Sequence, residues 1–314
     1  MSGPERLAVL LPGQGSQFVG MGRELAEAYP FARECYERAD EVLGVPLSRI
    51  AWVGPADVLT QTQNAQPAIL LHSYVAWSLL PVELRERTVV AAGHSLGEFT
   101  AYLIAGALSL EDALRLVRRR GELMWEAGQE TPGSMAAIMG LDAAVVEELC
   151  EAVAGTVVAA NFNSPGQLVI SGEVPAVAAA CEAALARGAK RALPLPVSGA
   201  FHSPLMERAR AGLEEALENV IIGHPKFPVI ANAVAEPVED AGRARELLVA
   251  QLTSPVRWIE SVERMRQYKP QAWIEPGPGA VLTGLARRID KSISVRSVGN
   301  PAGLDYAVEG LRDG

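Results

Sequence analysis

The sequence predicts an α/β protein with a mostly parallel sheet, interrupted by one small antiparallel unit. Three observations predict it. Two short apolar runs, residues 7–11 and 89–92, each end in a glycine-rich turn that leads into a segment of helical periodicity. The middle of the chain reads strand, helix, strand, strand, helix, strand, the order of a ferredoxin-like unit. After it, strands and helices alternate again to the C-terminus, with no internal repeat and no low-complexity linker.

In chain order, the strand at 7–11 runs into Pro12-Gly13-Gln14-Gly15-Ser16-Gln17 and then a helical pattern over 18–38. An apolar helix at 66–80 leads through a polar link to the strand at 89–92 and a helix at 98–108. The pattern changes after Thr131-Pro132-Gly133, giving strands at 134–140, 156–162, 167–171 and 190–195 with helices at 142–153 and 174–187. This predicts a subdomain of residues 131–198 inserted into a core made of 1–130 and 199–314. The core resumes with a helix at 203–217, a strand at 228–233, helices from 240 to 268, a strand at 272–275 ending in Pro276-Gly277-Pro278-Gly279, a helix at 280–289 and a last strand at 294–298. Sites in parallel α/β sheets lie beyond the carboxyl ends of the strands, so both early glycine loops are expected on one edge.

The 314 residues suffice for a large core, and 49% apolar with 21% charged residues is a folded composition. A net charge of −9 argues against a nucleic-acid partner bound through bulk charge. Cys35, Cys150 and Cys181 are scattered through helical, Ala- and Glu-rich segments, which reads as free thiols rather than disulfides or metal ligands. The N-terminus lacks a basic region followed by a long apolar core, and no apolar stretch is long enough to span a bilayer. The expectation is a cytoplasmic protein with no membrane partner.

Chemistry concentrates on Gly93-His94-Ser95-Leu96-Gly97, a G-x-S-x-G between a strand and a helix. A serine on so tight a turn stands clear of the sheet edge, and the first N–H groups of the new helix point at whatever it attacks. Serine needs a base, and the chain has four histidines. His72 lies in an apolar helix, His94 belongs to the turn with its side chain directed away from that of Ser95, and His224 precedes a proline in a polar turn. His202, in the loop where the insertion rejoins the core, is left as the base. No Asp or Glu presents itself as a third member. On the helix over 111–124, Arg120 falls between the inner-face residues Val117 and Met124, so its guanidinium must meet an anion: an internal carboxylate or that of a substrate. Asn161 and Asn163 stand either in a turn between strands or in the wall of the cleft.

Taken together, PGQGSQ, GHSLGE, the RRRG helix, NFNSPGQLVISG, GAFHSPLM, QLTSPVRW and EPGPGAVLTGL resemble, in order and over nearly the whole chain, the malonyl-CoA:acyl carrier protein transacylases of fatty-acid synthesis and the related acyltransferase domains of polyketide synthases. The resemblance implies a hydrolase-like α/β core with an inserted ferredoxin-like subdomain. It implies Ser95 as nucleophile, His202 as base oriented by the main-chain carbonyl of Gln251, and an oxyanion hole from the N–H groups of Gln14 and Leu96. Arg120 would hold the malonyl carboxylate, and Phe201, in an Ala-Phe-His context, would favour malonyl over methylmalonyl groups. Ser254 stands where some members carry Asn and receives no role. The implied substrates are malonyl-CoA and a phosphopantetheinylated acyl carrier protein, with no metal or redox cofactor because the thioester is already activated. Arg187, Lys190, Arg191, Arg287 and Arg288 are candidates to meet the acidic carrier. A transacylase serving polyketide synthesis, a serine thioesterase or hydrolase, and a non-catalytic docking module are the alternatives.

Overall fold

The computed structural model describes residues 6–197 and 199–312, so the expected subdomain boundary at residue 198 lies outside the described residues. Among them ten strands form two sheets. Strand β1 (Leu7–Leu11) is buried along its whole length, as a continuous apolar run covered on both faces should be. It pairs in parallel with β2 (Thr88–Gly93), Leu11 standing opposite Gly93, so both strands end at one level and their glycine loops leave the same edge. Its side chains alternate between two cores: Val9 and Leu11 pack on one face of the sheet, Ala8 and Leu10 on the other with Val90, Ala92 and Trp258.

The second sheet is made by β3 (Gly133–Met139), β4 (Val157–Ser164), β5 (Gln167–Glu173) and β6 (Arg191–Pro194), antiparallel in the order β4-β5-β3-β6. Helices Ala143–Ala152 and Val174–Ala186 share its apolar core, completing the ferredoxin-like unit. The first sheet is extended by β7 (Val229–Ile230), β8 (Pro237–Val238), β9 (Ala272–Pro276) and β10 (Val295–Val298), in the order β10-β9-β1-β2-β7-β8. Only β8 runs antiparallel to its neighbour. Register shifts in β4 bring Asn161 beside Val256, where Phe162 N–H donates to Val256 O (2.9 Å) and Val256 N–H to Ala160 O (2.8 Å). The two sheets are tied together there.

Several boundaries differ from the periodicity. The pattern over 18–38 is a turn followed by two helices, Arg23–Ala28 and Pro30–Leu43. A residue preceding proline is driven out of the α region, and Tyr29 is extended (φ −127°, ψ 119°). The helices expected from 240 to 268 are two, Ala241–Ala250 and Trp258–Arg266, with Pro255 in the gap between them. The expected strand 228–233 shrinks to β7, because the Asn232 backbone leaves the sheet to bond a buried side chain. The two-residue β8 and the helix Pro301–Arg312 lie beyond what the periodicity indicated. Cys35, Cys150 and Cys181 are free thiols on helices, the first two buried.

Helix Leu96–Ile104 turns sharply out of β2 and passes close under β1. A Cβ on Gly97 would fall inside the main-chain carbonyl of Leu11, and one on Gly93 inside that of Gly97. Backbone cannot swing aside as a side chain can. Gly97→Ala is therefore expected to lower unfolding stability by about 2–3 kcal/mol. A urea midpoint equal to that of the wild type would show that the turn tolerates a side chain.

Candidate active site

Ser95 occupies the turn at φ 51°, ψ −106°, a region that residues with a Cβ avoid. Three hydrogen bonds hold it there. Its N–H donates to Asn232 Oδ1 (2.7 Å), Asn232 Nδ2 donates to Gly93 O (2.7 Å), and Gln251 Nε2 donates to Ser95 O (3.0 Å). The strain is offset by side chains from two distant segments.

His202 is also at positive φ (58°) and is buried, 4% exposed. Its Nε2 lies 2.7 Å from Ser95 Oγ and its Nδ1 2.9 Å from the main-chain carbonyl of Gln251. A carbonyl can only accept, so Nδ1 carries the proton and Nε2 presents a lone pair to the serine hydroxyl. Burial, reinforced by the Arg120 charge, pushes the imidazole down to about 3. It is therefore neutral and able to take a proton.

Of the other histidines, none brings a ring nitrogen to Ser95 Oγ. His72 is buried with Nε2 2.8 Å from Gly299 O, and burial lowers it to about 4. His224 is exposed, its Nδ1 3.1 Å from Glu239 O. His94 lines the same cavity as Ser95, but its Nε2 pairs with Asn163 Oδ1 (2.8 Å) and its ring leans on Trp258. Asn163 thus holds His94, and Asn161 forms part of the cavity wall.

Arg120, on the helix Leu110–Glu130, is 1% exposed. Its Nη1 donates to Gln66 Oε1 (2.8 Å), and its Nη2 to Gln251 Oε1 (2.8 Å) and Ser95 Oγ (3.1 Å). Among the described residues no carboxylate pairs with it directly; Glu98 is reached only through Gln251, whose Nε2 donates to Glu98 Oε2 (2.6 Å). The internal partner that helical geometry allowed is present only at second hand. Burial lowers the guanidinium to about 10, which leaves it charged at neutral pH.

These groups open on a cavity of about 290 Å³ between the carboxyl edge of the first sheet and the antiparallel unit. Gln14, Leu96 and Phe201 line it too. The main-chain N–H groups of Gln14 and Leu96 have no acceptor among the described residues. Leu96 begins its helix, where an N–H has no intrahelical partner. Two donors are thus available beside Ser95 for developing negative charge.

Sequence reasoning missed Gln66, Asn232, Glu98 and the side chain of Gln251. The signal for Glu98 was present, since it is the one charged residue in a helix buried along its whole length; Gln66 stands among the polar residues Thr62, Gln63 and Asn64 and is not marked out by its helix. Asn232 carries no local signal. Of the surface cations, Arg187 pairs with Glu148 (3.0 Å) and Arg288 with Gln167, while Lys190, Arg191 and Arg287 are exposed.

A serine at a strand-to-helix turn, a neutral histidine with a fixed tautomer and two unengaged N–H donors make the arrangement that covalent acyl transfer requires. The acyl transferase domain family model matches residues 9–302, and the chain belongs to the acyl transferase family. It is 42% identical over 314 residues to a malonyl CoA-acyl carrier protein transacylase of Bacillus subtilis (strain 168), covering 98% of each chain. An acyl-carrier-protein-S-malonyltransferase from Bartonella henselae has the same architecture, with a TM-score of 0.94 and 45% identity over 98% of this chain and 99% of that one. A malonyl-transacylase solved in complex with a type II PKS acyl-carrier protein matches with a TM-score of 0.92 and 41% identity over 97% of this chain and 99% of that one.

Because kcat/KM reports the protonation of the free enzyme, its acid limb should lie well below the ordinary histidine range. The rate of acylation is expected to hold as pH falls from about 7 to about 5, since His202 stays neutral there. An acid limb centred near the unperturbed histidine value would place His202 in a wetter site than the one described.

Proposed function

We propose that this protein transfers a malonyl group from malonyl-CoA to the phosphopantetheine thiol of acyl carrier protein in fatty-acid synthesis, through a malonyl ester on Ser95. The observation that carries this reading is Arg120, a buried cation beside Ser95 Oγ whose protein partners are amide and hydroxyl oxygens. Its Nε has no acceptor, and the Nη2 hydrogen that now goes to Ser95 Oγ can pass to a substrate oxygen, so the Nε–Nη2 edge is the one a carboxylate on the acyl group would take.

The Ser95 hydroxyl proton passes to His202 Nε2 as Oγ bonds to the thioester carbonyl carbon. The oxygen that gains charge lies against the N–H groups of Gln14 and Leu96, as the charge-developing atom does in acyl transfer generally. The carbon–sulfur bond breaks and CoA leaves with the proton from His202. The carrier thiol then repeats the sequence in reverse and frees Ser95. A thioester is activated already, so no metal or redox cofactor enters. The Gln251 carbonyl keeps His202 in the reactive tautomer throughout.

Phe201 narrows the cavity beside the dyad, which disfavours a methyl group on the acyl α-carbon. Lys190, Arg191, Arg287 and Arg288 supply surface charge for an acidic carrier, since Arg187 is already paired with Glu148. A polyketide carrier is the second reading for the acceptor, favoured by the 41% identity to the transacylase solved with such a carrier. The cytoplasm suits three free thiols, and among the described residues no helix is long and apolar enough to cross a membrane.

Losing one partner of a buried charged pair costs about 2–5 kcal/mol, so Arg120→Ala is expected to lower malonyl transfer to a holo carrier roughly tens- to thousands-fold. Acetyl transfer, which involves no carboxylate, should fall far less, and Arg120→Lys should rescue malonyl transfer only in part because a point charge cannot form the fork. Equal losses for malonyl and acetyl donors would assign Arg120 to the fold instead.

A further inference from the structure

Glu98 is a buried carboxyl that the acyl-transfer steps leave unused. It lies in the first turn of helix Leu96–Ile104 and is 0% exposed. Its Oε2 accepts from the Asn232 main-chain N–H (3.0 Å) and from Gln251 Nε2 (2.6 Å). Its Oε1 is buried and has no partner among the described residues. A single amide separates it from Arg120: Gln251 Oε1 accepts from the guanidinium while Gln251 Nε2 donates to Glu98. When Glu98 is ionised, the empty site encloses one positive and one negative charge, relayed through one side chain. A malonyl carboxylate docking on Arg120 adds a second negative charge to this enclosed, weakly screened space, where an uncompensated charge is costly.

We infer that Glu98 is the compensating group: its ionised form takes up a proton on Oε1 when an acyl carboxylate docks on Arg120. The inference rests on the malonyl reading above. The other charged and titratable groups around Glu98 do not offer the same change. Tyr102, on the same helix, is held well above its ordinary value by burial and by the Glu98 charge. Arg243 lies near Tyr102 at the surface. His72, on helix Thr62–Ser78, is neutral, and His94 and His202 are lowered by burial. Strands β1, β2 and β7 bring no titratable side chain. Burial pushes Glu98 up to about 7, against the pull of Asn232, Gln251 and Arg120. A docked carboxylate cancels the Arg120 part of that pull, so protonation becomes easier as substrate binds.

The sign of the linkage follows. Binding that takes up a proton weakens as pH rises above the value at which free Glu98 ionises. The test uses the Ser95→Ala protein with intact malonyl-CoA, titrated calorimetrically in buffers of different ionisation enthalpy. At about pH 8 the uptake should approach one proton per malonyl-CoA bound and be absent with acetyl-CoA. Above that pH the malonyl-CoA Kd should rise about tenfold per pH unit. With Glu98→Gln added, which keeps an acceptor for Asn232 and Gln251, the uptake should vanish and the Kd become flat with pH. Preferential malonyl binding without proton uptake, or uptake that survives Glu98→Gln, would overturn the inference. Equal binding of malonyl- and acetyl-CoA would overturn the malonyl reading and this one with it. Should the double variant fail to fold, difference infrared spectra of Ser95→Ala with 13C-labelled malonyl-CoA decide the matter. A protein carboxylic-acid band must appear on binding, and its absence refutes the assignment.

Discussion

A guanidinium buried without a carboxylate beside it is the constraint around which this site is organised. Arg120 is solvated by Gln66, Gln251 and the Ser95 hydroxyl in place of water, and each of these must be held at hydrogen-bond distance or the charge is stranded. Gln251 is the most heavily used. Its side-chain oxygen accepts from Arg120, its side-chain nitrogen donates to Glu98 and to the Ser95 carbonyl, and its main-chain carbonyl accepts from His202. One residue thus couples the cation, the nucleophile's backbone and the base. Displacing it would disturb all three together.

The same network explains how strain persists at two neighbouring positions. Ser95 and His202 both hold positive φ, which costs on the order of 1–3 kcal/mol each in a residue with a Cβ. Asn232 grips Ser95 from the loop after β7, Gln251 from the end of helix Ala241–Ala250, and the dyad bond itself joins the two strained residues. Gly93 and Gly97 let β2 turn sharply enough to bring this about, because side chains there would strike backbone. The antiparallel unit closes the cavity from the opposite side, tied to the core through the β4 contact with Val256.

Much of this was legible in the sequence, for definable reasons. Ser95 announces itself because the glycines and the strand-to-helix switch are local, and His202 because so few histidines compete with it. Arg120 stands out as a charge on the inner face of an otherwise amphipathic helix. The ferredoxin-like order survives in periodicity because its strands and helices are short and cleanly alternating. What remained hidden depends on contacts distant in the chain: Asn232 meets Ser95 across 137 residues and Gln251 meets Glu98 across 153. Nothing near Asn232 marks it as a prop for a strained turn. The break at Pro30 was readable in principle, since proline disfavours helix in the residue before it, but the apolar periodicity runs straight through it.

The central claim is that the Nε–Nη2 edge of Arg120, with Nε free and Nη2 turned to the serine, selects an acyl group bearing a carboxylate and delivers it to Ser95. The most direct measurement is peptide mass spectrometry of the acyl-enzyme formed when the protein is mixed with equal amounts of malonyl-CoA and acetyl-CoA in the absence of carrier. The account predicts a malonyl group on the peptide containing Ser95, in clear excess over acetyl. Acetyl and malonyl adducts in equal amounts, or a malonyl group found on Cys35, Cys150 or Cys181 and not on Ser95, would contradict it.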